Sequence, residues 1–490
     1  MAVKGIGDDI HFHVNDVPHF TEIILFGLQQ MLVCISGLLV TPYLLSNMLC
    51  AGVETLAIRV QIIAATFVTT GIATILQSTF GLRLAILHGP SFAFLPALHT
   101  FQQNYPCTSD TDPMQWRDKM QLISGSLFIA TFLMPLFGIT GLIGKISRYI
   151  GPVTIVPILV LLCVGTVPDI EQKVSLHWIS VLELVLLISF VVLLENVEVP
   201  IPIYSFKEKK IKTIETRIFG QFPYLLGIAI VWFVCYILTV SNLIPEGSAA
   251  RTDHNESIRV LQQTPWVQVP YPFAFGFPKF NVALAFAFTA STIACMIESV
   301  GNYGFMLIFI GVFSKVSALL ATIPEAIIGG VLATGMSLIC GVAFANLQSI
   351  DLGLSRNLTI IGLSIILGCT IPAHFEKSTG ITGNETIDDS MGTLLKMGML
   401  VGGLIAFLLD TIAPGATRKQ RGFQEETEFE IEIDVEKDGF ALSSFANRAI
   451  LKVPSITKLP VVPSKESIKR IEELRMKKKF GEDQIIRGKK

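Results

Sequence analysis

Apolar stretches of about 20 residues, the length that carries a helix across the hydrocarbon of a bilayer, recur along this chain between short polar segments. The pattern predicts spans near 21–45, 56–79, 84–101, 119–140, 150–168, 176–196 and 219–241, then 282–300, 304–323, 325–346, 355–374 and 392–412. Seven fill the first half and five the second, and the eighth and ninth are joined by nothing longer than Gly301-Asn302-Tyr303-Gly304. The fold class expected is an all-α polytopic membrane protein.

Composition narrows the classes further. Hydrophobic residues make up 51% of the chain and charged residues 16%, against about 25% charge in soluble domains. Charge is confined to the ends and a few loops, so nucleic acid is not an expected partner and the lipid bilayer is. The N-terminal residues 1–20 are polar and carry Asp8, Asp9 and Asp16, unlike a cleavable signal with its basic and then apolar segments. The first span is therefore expected to insert the chain itself. Of eight cysteines, most lie in apolar runs and read as packing. Cys50 and Cys107 lie in polar loops, where a bridge between them is one option and two free thiols the other.

Lys and Arg in short loops stay on the cytoplasmic side. Lys145 and Arg148 in one loop, and Lys207, Lys209, Lys210, Lys212 and Arg217 in the next but one, set both loops inward. Segments 102–118, 242–281 and 375–391 then face outward and both termini are cytoplasmic. Two sequons, at Asn255 and Asn384, fall outside as glycosylation requires, whereas Asn357 opens a span and is expected to be silent. Residues 413–490 form a cytosolic tail, acidic and then basic. Its last part reads either as a basic amphipathic helix on the inner leaflet or as a solvated segment.

Two features point to chemistry within the membrane. Glu298 is the single acid between Val282 and Thr322. A carboxylate at that depth is costly unless it faces protein, water or a ligand, and so marks a pathway or binding site. Lys315, the nearest cation, can reach it only if the flanking spans pair as a hairpin. The third span contains Gly89-Pro90-Ser91-Phe92-Ala93-Phe94-Leu95-Pro96, and two prolines with a glycine predict a break in its hydrogen-bond ladder. Such a break either lines a cavity or is an ordinary kink. Gln29 and Gln30 in the first span serve as ligands or as packing amides. Asp410 and Arg356 sit at span ends and read as interfacial anchors. No nucleophile elbow, zinc spacing or phosphate-cradling glycine loop is present, so no enzyme is expected, and no cofactor.

Taken together, Asp16-Val17-Pro18, GLQQMLVCISG at 27–37, GPSFAFLPA at 89–97, MIESVGNY at 296–303, SIDLGLSRNLTIIGLSIILG at 349–368 and GGLIAFLLDTIAPG at 402–415 resemble the nucleobase-ascorbate transporter family, and its animal sodium-dependent vitamin C carriers in particular. The resemblance implies fourteen spans in two inverted repeats, with an elevator motion of a substrate-binding core against a dimer-forming gate. Here it implies a core of 21–140 and 282–323, a gate of 150–241 and 325–412, and an extracellular loop at 242–281. It further implies Gln29, Gln30, Ser91, Phe92, Ala93, Phe94 and Glu298 as substrate contacts, with Ser91 to Phe94 as a short strand. A sodium site near Gln30 and Glu298, ascorbate or a nucleobase as substrate, and a plasma-membrane homodimer follow from it too. The chain departs from the family pattern at Gln30, where histidine is usual, and at Asn302, where aspartate is usual. It also passes from Tyr303 straight to GFMLIFIGVFSKVSALLATIP, so the family's ninth and tenth spans, which carry the opposing strand, are missing. A non-transporting form that regulates full-length copies is therefore the alternative expectation.

Overall fold

The computed structural model describes residue 27 and residues 38–80, 89–106, 113–140, 149–205, 210–298, 314–377, 385–423 and 451–452. Gln29, Gln30, Cys107, Asn384, the junction at 301–304 and the tail beyond 452 lie outside the described residues, and so does the side chain of Glu298.

The helices follow the apolar runs: α1 Leu38–Met48, α2 Thr55–Phe80, α3 Leu95–Asn104, α4 Pro113–Ile139, α5 Pro152–Gly165, α6 Val167–Val174 and α7 Ile179–Ile188. After α7 come a π-turn, Ser189–Leu193, and a hairpin of β1 Val199–Ser205 and β2 Lys210–Thr216. The rest are α8 Ile218–Gln221, α9 Pro223–Val240, α10 Asn255–Gln263, α11 Val282–Glu298, α12 Ser314–Ala321, α13 Glu325–Leu347, α14 Ser355–Lys377, α15 Glu385–Leu395 and α16 Gly398–Ile412. Proline opens α5, α6 and α9, where its missing N–H costs nothing and its fixed φ suits the first turn.

Among the described residues, five helical segments are long and apolar enough to cross a membrane: Gly52–Gln77, Pro152–Val174, Pro223–Val240, Glu325–Leu347 and Ser355–Glu376. In α9, Tyr224, Gly227, Ile228, Val231 and Cys235 face the protein, while Ile230, Phe233, Ile237 and Val240 stand exposed on the opposite stripe. A helix apolar on all faces with one face unburied belongs in lipid.

Helices α5, α7, α9, α13, α14 and α16 pack as one group; the second comprises α3, α4 and α15 around α11, and α2 against α12. Within the first group, α14 and α16 meet backbone to backbone. A Cβ at Gly398 would stand 2.5 Å from the Gly368 carbonyl oxygen, and one at Gly402 would be 2.8 Å from that of Ser364. Gly398 and Gly402 form the small-residue spacing that lets membrane helices approach closely.

The structure departs from the sequence reading at the basic stretch after α7, at the final span and in the burial of Asp410. The basic stretch after α7 is an antiparallel hairpin, so the chain is not purely helical. Pro200 and Pro202 lie two apart in β1, which keeps their missing donors on one edge, as a two-stranded ladder tolerates. The final span is split: α15 ends at Leu395 and α16 begins at Gly398, with Met397 extended between them. Lys315 donates to the carbonyls of Leu261 and Gln262 and stands 5.9 Å from the Trp266 ring, which ties α12 to α10. Asp410 is fully buried and binds two guanidinium groups, Arg356 at 3.0 Å and Arg421 at 2.7 Å. It is the hub of a link between α14, α16 and the following turn. Sequence shows only its place at a span end, not the Arg356 and Arg421 that converge on it. Asn357 is buried and donates to the carbonyls of Asp351 and Gln420, in keeping with a silent sequon, whereas Asn255 is exposed at the start of α10.

Candidate functional site

The third span breaks where its prolines predict. Ser91 is extended (φ −92°, ψ 139°), Phe92–Phe94 form one turn of 3-10 helix, and α3 starts at Leu95 with Pro96 in its first turn. The Ser91 hydroxyl oxygen accepts the Ala93 N–H at 3.1 Å, and the Phe94 N–H donates to the Ser91 carbonyl at 3.4 Å. The strand implied by resemblance at Ser91 to Phe94 is therefore a turn with a single extended residue. A strand leaves its amides in need of a partner strand; a 3-10 turn with a serine cap satisfies those of Ala93 and Phe94 locally. Ala93 is buried, and Ser91, Phe92 and Phe94 are half-buried.

Helix α11 crosses this turn. The Phe94 and Phe288 rings meet edge-on, with centroids 5.9 Å apart at 61°. At the far end of α3, the Asn281 side-chain amide donates to the Tyr105 hydroxyl at 3.1 Å, and its backbone N–H donates to Ser126 on α4 at 2.9 Å. Tyr105 with Asn281 and Phe94 with Phe288 fix an antiparallel register. Continuing past Phe288 for the ten residues to Glu298 covers about 15 Å of helix, in the direction that runs from Phe94 back to Ser91. The Glu298 backbone and Ser91 thus lie on the same side of the aromatic pair. Of the residues expected at the site, these are the ones the structure brings into relation.

Beside the broken span lies an ionic cluster that the sequence reading missed. His99, on α3, holds Nε2 2.8 Å from both carboxylate oxygens of Asp169 on α6. One turn further along α6, the buried Lys173 donates to Glu325 at 2.8 Å. Glu325 opens α13 and also accepts from Arg59 of α2 at 2.7 Å. Arg59 donates in addition to Ser46 (2.9 Å) and Asn47 (2.7 Å), and its guanidinium lies 4.2 Å from the Tyr43 ring centre. The Tyr43 hydroxyl reaches the carbonyls of Leu320 and Ile323. This cluster links the two groups by charge, beside an apolar core that runs through both. Arg59 and Glu325 are 266 residues apart, and no local spacing could pair them; the one available signal was that each charge stands alone at the edge of an apolar run.

Cys50 is disulfide-bonded, with its partner outside the described residues. Among the described residues, no group of three or more His, Cys, Asp or Glu side chains could hold a metal ion.

A model of the Permease family matches residues 21–306 and 303–377. Solute carrier family 23 member 2 of Rattus norvegicus is 30% identical over an alignment that takes in 85% of this chain and 76% of that protein. Solute carrier family 23 member 1 of Mus musculus is 28% identical, covering 84% and 82%. Nucleobase-ascorbate transporter 5 of Arabidopsis thaliana is 24% identical, covering 84% and 90%. The two family matches meet at the junction where two spans are missing by sequence. The alignment with the rat protein runs over 499 residues, whereas 85% of a chain of 490 residues is about 417, so about 80 of its positions have no counterpart here.

Proposed function

This chain belongs to the permease family, and from that premise we propose that it is a secondary active transporter of ascorbate or a nucleobase, coupled to sodium and working by an elevator motion. The observation that carries the reading is the broken third span, closed by its own serine cap and seated on the helix that bears Glu298. Discontinuous helices at membrane depth present free backbone groups and helix ends to a solute. A carboxylate on the neighbouring helix suits either a hydrogen-bonding heterocycle or a coupling cation. The relatives named as nucleobase-ascorbate transporters supply the solute classes, and the resemblance of the sequence motifs to animal vitamin C carriers tilts the choice to ascorbate and sodium. In this reading α2, α3, α4, α11 and α12 form the moving core, and α5, α7, α9, α13, α14 and α16 form the gate through which two copies pair in the plasma membrane. The Arg59–Glu325–Lys173 and His99–Asp169 contacts then lie across the sliding boundary and must rearrange during the cycle.

The test is uptake of radiolabelled ascorbate and uracil by cells expressing this chain, with and without sodium, beside surface biotinylation. Saturable, sodium-dependent uptake that is lost in Glu298→Gln is the expected result. Normal surface expression without uptake of either solute would overturn the reading and mark a non-transporting form.

A further inference from the structure

Glu183 sits midway along α7 with none of its surface exposed, and neither carboxyl oxygen has a hydrogen-bond partner. It is held in a niche made by glycines on two neighbouring helices. A Cβ at Gly227 of α9 would stand 3.1 Å from its Oε1, and a Cβ at Gly330 of α13 would stand 2.8 Å from its Cγ. The titratable group that feels its charge is Cys235 on α9. Tyr224 lies one turn before Gly227 and its hydroxyl is also without a partner. From α6, Lys173 commits its ammonium to Glu325, and among the described residues no cation pairs with Glu183.

An unpaired carboxylate in such a place is so costly that the group takes up a proton instead. A metal cation does not fit the niche. Its walls are glycine Cα atoms, Leu187 and helix backbone, and a hard cation needs several oxygens to replace its water. We propose that Glu183 is a proton-binding site within the helix bundle, occupied as the neutral acid at neutral pH and separate from the broken span at Ser91. The site binds a proton whichever solute the chain carries, so its test stands apart from uptake.

The probe is dicyclohexylcarbodiimide applied to native membranes holding the full chain, followed by peptide mass mapping. The carboxyl oxygen bonds to the central carbon of the reagent while the acid proton moves to one of its nitrogens. The adduct rearranges to an N-acylurea that keeps every atom of both, so the peptide gains the whole reagent mass. An ordinary glutamate, with a pKa of about 4.3, loses its acid form about tenfold per pH unit above that value. The expected result is labelling of the Glu183 peptide that stays level between about pH 6 and about pH 8 and is absent from Glu183→Gln. Labelling that falls about tenfold per unit over that interval would overturn the proposal. Because the reagent must also reach the niche, an infrared difference spectrum of wild type minus Glu183→Gln at about pH 8 decides the case independently: a carboxylic-acid C=O band supports the site, and carboxylate bands alone overturn it. Glu183→Gln, an isostere of the neutral acid, should fold with unchanged thermal stability.

Discussion

Glu325→Gln tests whether the ionic cluster holds the two helix groups together. The substitution preserves volume and removes the one negative charge that Arg59 and Lys173 share. The side chains of both cations are almost completely buried, at 6% and 7% exposed, whereas that of Glu325 is 31% exposed. Arg59 keeps Ser46, Asn47 and the Tyr43 ring, so the larger part of the loss falls on Lys173. Removing one partner of a buried ion pair costs about 3–5 kcal/mol, and the partial hydration of Glu325 argues for the lower end, about 3 kcal/mol. The shift is about 2–4 °C per kcal/mol for chains of about 150–250 residues and falls with length, so at about 1–2 °C per kcal/mol here the midpoint should drop by about 3–6 °C, read by size-exclusion chromatography of heated, detergent-solubilised protein. Adding Lys173→Met to Glu325→Gln should restore at least about 1 kcal/mol, because contacting residues are not additive. A midpoint within 1 °C of wild type, or strict additivity in the double variant, would refute the argument that this cluster joins the two groups.

Other consequences can be measured directly. Asp410→Asn leaves Arg356 and Arg421 without their shared carboxylate and should destabilise by about 3 kcal/mol, seen as faster proteolysis in the 413–423 segment. Ser91→Ala removes the cap on the Ala93 N–H and should cost about 1 kcal/mol, with uptake falling more than surface expression. The Arg251 guanidinium holds the Asp253 carboxyl below the usual carboxylate range. A group with a depressed folded pKa stabilises above its unfolded pKa of about 3.9 and loses that contribution as pH falls through the folded value. Hydrogen exchange around 244–254 should therefore quicken only below about pH 4, and Asp253→Asn should abolish that acid dependence. Asn255→Gln should raise gel mobility by one glycan if α10 faces outward.

Five of the expected spans were legible because a membrane segment announces itself by length and apolarity alone, both local properties. The break at Ser91 was legible as well, since Pro90 and Pro96 forbid a continuous ladder whatever surrounds them. Its form was not: whether Ser91 to Phe94 make a strand or a turn depends on a partner strand elsewhere, and a lone segment closes its bonds on itself. The hairpin at 199–216 was hidden by its prolines and lysines, which read as loop until the register shows them tolerated. Asp410 and Glu325 look alike in sequence, as single acids at the edges of apolar runs. Only tertiary contacts reveal that each collects two cations, because their partners come from other helices. Glu183 went unremarked for the converse reason, since the glycines that make its niche are 44 and 147 residues away.

The contact between α14 and α16 has a mechanical meaning. Gly368, Gly398 and Gly402 place main chain against main chain, and main chain has no rotamers through which an interface could switch between alternative packings. Motion in packed helices proceeds by side chains hopping between discrete arrangements, and this seam offers none. The two helices therefore behave as one stiff strut, and a change of angle between α15 and that strut falls on the extended link at Met397.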